Sequence, residues 1–133
     1  MRAIEDPKAI EALLKSGVVL EICPTSNILA GIYPSYDKHP LRKLYDAGVK
    51  ITLNSDDPGL FGCSIGSEYQ VAKDHFGFSD EELLDATRVA VESAYVDGPT
   101  RTKLRQKVDD FSFFLKARRQ NNNRAPGLKP PRP

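Results

Sequence analysis

Two cysteines, two histidines and one methionine are scattered through the 133 residues of this chain. Cys23 and Cys63 have no CxxC spacing and no secretory context, which argues against a structural disulfide. His39 and His75 form no HxH or HExxH pair, so the histidines by themselves announce no metal site. A P-loop and a GxGxxG turn are missing, and no Ser-His-Asp order stands out. No apolar run reaches the roughly 18 residues a membrane span requires. The opening residues, Met1 to Asp6, lack the apolar segment of a secretory signal. The expectation is a soluble chain, cytoplasmic by default, with no membrane partner.

Hydrophobic residues make up 40% of the chain and charged residues 28%, ordinary proportions for one modest globular domain. The net charge of +1 conceals an asymmetry. Residues 1–100 carry 9 basic and 16 acidic side chains, net −7, whereas residues 101–133 carry 10 basic and 2 acidic, net +8. A basic tail is able to touch nucleic acid, but the only aromatics in it, Phe111, Phe113 and Phe114, fall at helical spacing. It reads as a solvated helix face followed by a frayed end, and no nucleic-acid partner is expected.

Along the chain, Asp6-Pro7 opens a helix as N-cap and first residue, with Ile10, Leu13 and Leu14 on one face and Gly17 as its stop. Val18–Ile22 reads as a short buried strand of the parallel type. The connection from Cys23 to Lys38 shows no sustained period and is long for a βα loop, so it is expected to wall or cover a site. In it, Ser26 and Asn27 are either pocket-lining or turn formers. His39-Pro40 starts a short helix with Leu41, Leu44 and Tyr45 inward and Gly48 as its stop. A second strand, Val49–Leu53, begins 31 residues after the first, which fits a right-handed βαβ unit.

A helix is expected from about Ile65 to Phe76, with Ile65, Tyr69, Ala72 and Phe76 on its inner face and Gly77 ending it. Ser79-Asp80-Glu81-Glu82 is a capping box, opening a helix to about Tyr95 with Leu83, Leu84, Thr87, Val91 and Ala94 inward. Gly98-Pro99 begins a last helix, whose stripe is Leu104, Val108, Phe111 and Leu115. The body is placed at residues 1–118. Residues 119–133 are polar, basic and proline-rich, and are expected to be disordered; their Pro130–Pro133 end has the composition of a polyproline ligand.

The stretch that organises the rest is Val49 to Pro58, where a strand releases Asp56 and Asp57 side by side at its C-terminal end. In β/α proteins ligands sit at that end of the strands. The plainer reading of Asp57-Pro58 is a helix start with proline at its first position. Cys23 and His39 fall on the same face, so a Cys-His-Asp site is an alternative. More simply, Cys23 is a buried small residue, His39 precedes an N1 proline, and His75 sits at a helix end facing the helix dipole.

Leu20-Glu21-Ile22-Cys23-Pro24-Thr25-Ser26-Asn27, His39-Pro40-Leu41, Leu44-Tyr45-Asp46-Ala47-Gly48-Val49 and Asn54-Ser55-Asp56-Asp57-Pro58-Gly59-Leu60-Phe61-Gly62 follow one another in an order that resembles the C-terminal part of the adenosine deaminases. Glu68-Tyr69, Phe78–Glu82 and Ser93-Ala94-Tyr95 extend the match, which covers residues 2 to about 110. The resemblance implies an α/β fold, the C-terminal part of a (β/α)8 TIM barrel, here two parallel strands with flanking helices followed by C-terminal helices. It implies a zinc-dependent enzyme that hydrolyses adenosine to inosine and ammonia. Asp56 matches the family's aspartate zinc ligand. Asp57 matches the aspartate that hydrogen-bonds the purine at N7.

The other zinc ligands, all histidines, match nothing in this sequence, nor does the glutamate that protonates the ring. No complete catalytic set is therefore expected in the chain. A TIM barrel needs about 250 residues, so the sequence is expected to be the C-terminal portion of a larger enzyme, whether truncated, split or begun late. By itself it is expected neither to bind zinc tightly nor to deaminate. A purine nucleoside is the expected substrate. The missing barrel half, or self-association, is the expected partner, because a two-stranded sheet leaves both edges open. An adenine or aminopurine deaminase is the alternative within the enzymes. A non-catalytic half-barrel that self-associates or docks on a full-length deaminase is the alternative outside them.

Overall fold

The computed structural model describes residues 2–124. The chain divides into two compact units, one ending at Tyr95 and the other starting at Val96.

The first unit begins with a 3-10 turn, Arg2–Glu5, and helix α1, Pro7–Ser16. The Asp6 carboxylate accepts the Lys8 N–H, Pro7 takes the first helical position, and Gly17 ends the helix at φ 69. Strand β1 is Leu20–Ile22 and β2 is Ile51–Leu53, each three residues. They pair in parallel with Leu20 opposite Ile51, Glu21 opposite Thr52 and Ile22 opposite Leu53. Among the described residues these are the only two strands of the sheet. Val18 and Val49 were expected inside the strands. Val18 instead lies outside and is half exposed.

Alternation along the strands sorts the two faces. Ile22, Ile51 and Leu53 join Leu41, Leu44, Ala72, Phe76, Phe78 and Leu83 in one buried cluster. Those partners come from α3 (Leu41–Asp46), α5 (Ile65–Phe76) and α6 (Asp80–Ser93) or the turn between them. On the other face Glu21, Thr52 and Asn54 share a hollow of about 480 Å³ with Val18, Val19, Ala90 and Ala94. Helices cover the sheet face that carries Ile22, Ile51 and Leu53, as they do on the outside of a TIM barrel.

Between β1 and α3 the structure departs from the expectation of an aperiodic loop. Pro24–Leu29 form helix α2, and Tyr36–Lys38 a 3-10 turn. Six residues are too few for a helical period to show in the sequence. The expected start of α3 also moves by one, since Pro40 is the N-cap rather than the first helical residue. After β2 comes the short helix α4, Pro58–Phe61, and then α5. The capping box of α6 forms as expected, with Ser79 and Glu82 each accepting the other's N–H. Arg42 joins Glu82 to Asp46 and lies over Tyr45 and Phe78.

The second unit is helix α7, Gly98–Arg124, begun by Asp97, whose side chain accepts the Thr100 N–H. It runs past residue 118, the boundary expected for the body, to Arg124. The polyproline reading of Pro130–Pro133 lies outside the described residues. None of the described helices is long and apolar enough to cross a membrane.

Candidate functional site

The site lies at the C-terminal ends of β1 and β2, where both strands give way to short helices. Just past β2 the Asn54 amide donates to Thr52 Oγ1 at 2.8 Å. At Asp56 the backbone turns to φ 59, making it the one described non-glycine residue with positive φ. An L-residue gives up about 1 kcal/mol or more to sit there, least for Asp and Asn. Such strain persists where neighbours hold it. Here Ser26 Oγ, itself buried, donates to Asp56 Oδ2 at 2.7 Å across 30 residues of sequence. The bond engages one carboxylate oxygen of an otherwise exposed side chain.

Asp57 does what the plainer reading expected. Its Oδ1 accepts the Leu60 N–H at 2.9 Å and caps α4, with Pro58 in the first position. The same side chain is exposed beside Asp56, so the capping role fixes where the carboxylate stands.

His39 is not part of a metal cluster. It is 5% exposed, packed edge-on to Phe76 and tilted against Tyr33. Nδ1 accepts the Leu41 N–H at 3.1 Å, so the ring proton is on Nε2, which faces Asn27 Oδ1 at 3.0 Å. Burial pushes the imidazole pKa down to about 4, and His39 is a neutral core residue that caps α3. Cys23 is half-buried rather than buried; burial, then the charges of Asp56 and Glu68, push its thiol up to about 11. A thiol so held stays protonated at neutral pH and is a poor nucleophile. His75 stacks on Tyr36 at 4.4 Å. Among the described residues no group of three or more His, Cys, Asp or Glu is arranged to hold a metal ion. The residues present therefore do not make a zinc site; Asp56 offers a single carboxylate toward one.

In the sequence Ser26 stayed open between pocket-lining and turn former, and Glu68 stood only within the family match. Ser26 left no signal that separated a ligand of Asp56 from a turn former. Glu68 did leave one: with Ala72 and Phe76 it recurs every fourth residue, on the face that is buried, whereas Ile65, expected there, is half exposed. Glu68 is fully buried and its Oε2 accepts the Thr25 N–H at 2.9 Å.

A parallel strand pair with helices on one face and a strained carboxylate at its C-terminal mouth defines the C-terminal part of a TIM-barrel amidohydrolase. The comparisons agree with the geometry. The family model described as Adenosine deaminase matches residues 1–111, and the chain belongs to that family. It is similar to adenine deaminases of Sinorhizobium medicae, 53% identical over 104 residues, and of Rhizobium meliloti, 51% identical over 104 residues. Each alignment covers 78% of this chain and 32% of the relative, so the chain spans about a third of the length of these relatives.

Among solved structures, an adenine deaminase from Arthrobacter aurescens superposes with a TM-score of 0.79 at 24% identity, over 84% of this chain and 34% of that one. The Arabidopsis N6-mAMP deaminase superposes at 0.72 with 30% identity, over 79% and 31%. An amidohydrolase from Burkholderia ambifaria, solved with bound Zn, superposes at 0.70 with 26% identity, over 86% and 33%.

Proposed function

We propose that this chain forms the C-terminal part of a zinc-dependent purine deaminase whose substrate is adenine. In that reaction water adds at C6, ammonia leaves, and hypoxanthine is the product. The observation that carries the reading is Asp56, held at φ 59 with Oδ2 on Ser26, inside the segment that resembles adenine deaminases. The sequence motifs alone lean toward adenosine. The similarity to adenine deaminases over 104 residues favours the free base instead.

In this reading Asp56 supplies one metal ligand, and histidines from the remainder of the barrel supply the others. When bound, the zinc lowers the proton affinity of water enough to make it a nucleophile at neutral pH. The part this chain plays is positional. Ser26 fixes the Asp56 carboxylate, and Asp57, held as the cap of α4 through Oδ1, has Oδ2 left for the purine, where a bond to the acceptor N7 would have its proton on that oxygen. The sheet face that carries Glu21, Thr52 and Asn54 lines the interior of the completed barrel. The partner is accordingly the rest of a deaminase barrel.

The test is a chimera in which residues 1–111 replace the matching third of the Sinorhizobium medicae relative, assayed with adenine and with adenosine. The reading expects ammonia release from adenine at a rate well above that from adenosine, lost in Asp56→Ala. A folded, zinc-loaded chimera that releases no ammonia from adenine, or that prefers adenosine, overturns it.

A further inference from the structure

We infer that Glu68, in the middle of α5, is a positioning residue for Asp56: it caps α2 from a distance and thereby sets the serine that grips the Asp56 carboxylate. That Asp56 is the atom group worth positioning rests on the proposed function. The coupling itself does not.

Helix α2 lacks a cap of its own. Its N-cap is Cys23, which makes no side-chain hydrogen bond to the helix, and cysteine is a poor acceptor for an N–H. The first-turn N–H groups of a helix need partners when buried. Glu68 answers from 43 residues away in sequence, its Oε2 accepting the Thr25 N–H. A carboxylate at a helix N-terminus also meets the positive end of the backbone dipoles. Thr25 is held a second time by its side chain, Oγ1 lying 3.2 Å from the Tyr36 hydroxyl. The next residue is Ser26, 3% exposed, with Oγ on Asp56. Only the φ and ψ of Thr25 separate its amide from Ser26, and helix α2 sets both, so holding the Thr25 N–H holds the serine that follows.

The remaining oxygen points to the same conclusion. Glu68 Oε1 is buried with no donor beside it better than the weakly donating Cys63 thiol, and burying an oxygen so poorly partnered costs stability. An apolar residue would fill the position between Thr25 and α5 at lower cost, and a serine or aspartate at position 23 would cap α2 locally. A fully buried glutamate that does half its possible bonding serves geometry better than stability.

The test uses the isotopically labelled 133-residue chain and the NMR signals of Asp56, its backbone resonances and side-chain carboxyl carbon. Ser26→Ala defines the displacement that follows loss of the grip. Glu68→Leu, which keeps the volume and removes the acceptor, is expected to reproduce most of that displacement. Glu68→Gln keeps an acceptor oxygen for Thr25 and is expected to leave Asp56 at its wild-type position. Leu44→Ala lowers the melting temperature through the core and is expected to leave Asp56 unmoved, which separates positioning from stability. A folded Glu68→Leu chain with wild-type Asp56 signals overturns the inference.

If the leucine variant does not fold, two folded proteins decide. The wild type must show a through-hydrogen-bond coupling between the Thr25 nitrogen and the Glu68 carboxyl carbon, and Glu68→Gln must retain both that coupling and the Asp56 signals. Loss of either overturns the coupling. None of these readings uses deaminase activity, so the inference and the proposed function fail separately.

Discussion

Lowering the pH from 7 to 5 should cost this fold about 2 kcal/mol through His39 alone. The ring is 5% exposed, its Nδ1 accepts the Leu41 N–H and its Nε2 faces Asn27 Oδ1. A second ring proton would have to sit on Nδ1, against the donor that already points there, inside a wall built by Tyr33 and Phe76. Burial accordingly depresses the folded pKa to about 4, from 6.5 for an unburied ring.

The sign follows from proton counting. Between pH 6.5 and 4 the unfolded chain binds the proton and the folded chain does not, so stability falls as the pH falls through that window. With one pKa unit equal to about 1.4 kcal/mol, the full loss approaches ~3 kcal/mol near pH 4, and about 2 kcal/mol has gone by pH 5. Urea unfolding followed by circular dichroism at pH 7 and pH 5 measures it. The same experiment on His39→Gln should give a lower stability at pH 7 and a much weaker dependence over this range. If the wild type is equally stable at both pH values, or if His39→Gln keeps the full slope, the assignment of a neutral buried imidazole is wrong.

Three further outcomes follow from the same contacts. Asp56→Gly should be about 1 kcal/mol more stable than Asp56→Ala in chemical denaturation, because both lose the bond to Ser26 and only alanine retains the cost of φ 59; equal stabilities would mean the positive φ carries no strain. Glu82 is held down to about 2, first by the Arg42 guanidinium and then by the Ser79 N–H, so its contribution is present above about pH 4.5 and disappears as the pH falls toward 2. Glu82→Ala should therefore cost about 1 kcal/mol at pH 7 and clearly less by pH 3, read from melting at the two pH values. Leu44→Ala, at a fully buried position, should cost about 2–5 kcal/mol in urea unfolding, and a loss below 1 would show that the cluster under the sheet is not close-packed.

Much of the architecture is legible in the chain because it is set by neighbours in sequence. Asp6-Pro7 with Gly17, the Ile65–Phe76 helix with Gly77, and the Ser79–Glu82 capping box all settle within one or two helical turns. The parts that were not legible are set across long separations. Helix α2 is six residues long and is capped by Glu68, 43 positions beyond Thr25. Ser26 meets Asp56 across 30 positions, and no local pattern marks it. The burial of Glu68 ran against the ordinary rule that charge faces water, so the periodicity of α5 was rotated toward Ile65 by a rule that this helix breaks. The Asp56-Asp57 pair was visible because it follows a short apolar strand, at the end where ligands bind in β/α proteins. Its strained backbone was not.

Zinc binding tests the central claim, that Asp56 is this chain's contribution to a metal centre completed by the rest of the barrel, more directly than any rate. The account predicts no tight zinc site in the isolated chain, since one carboxylate falls short of the three or four ligands zinc takes. It predicts one site per molecule in the chimera with the Sinorhizobium medicae relative, weakened at least about 100-fold by Asp56→Ala. A tight site in the isolated chain, or a chimera whose zinc affinity is indifferent to Asp56, would contradict it.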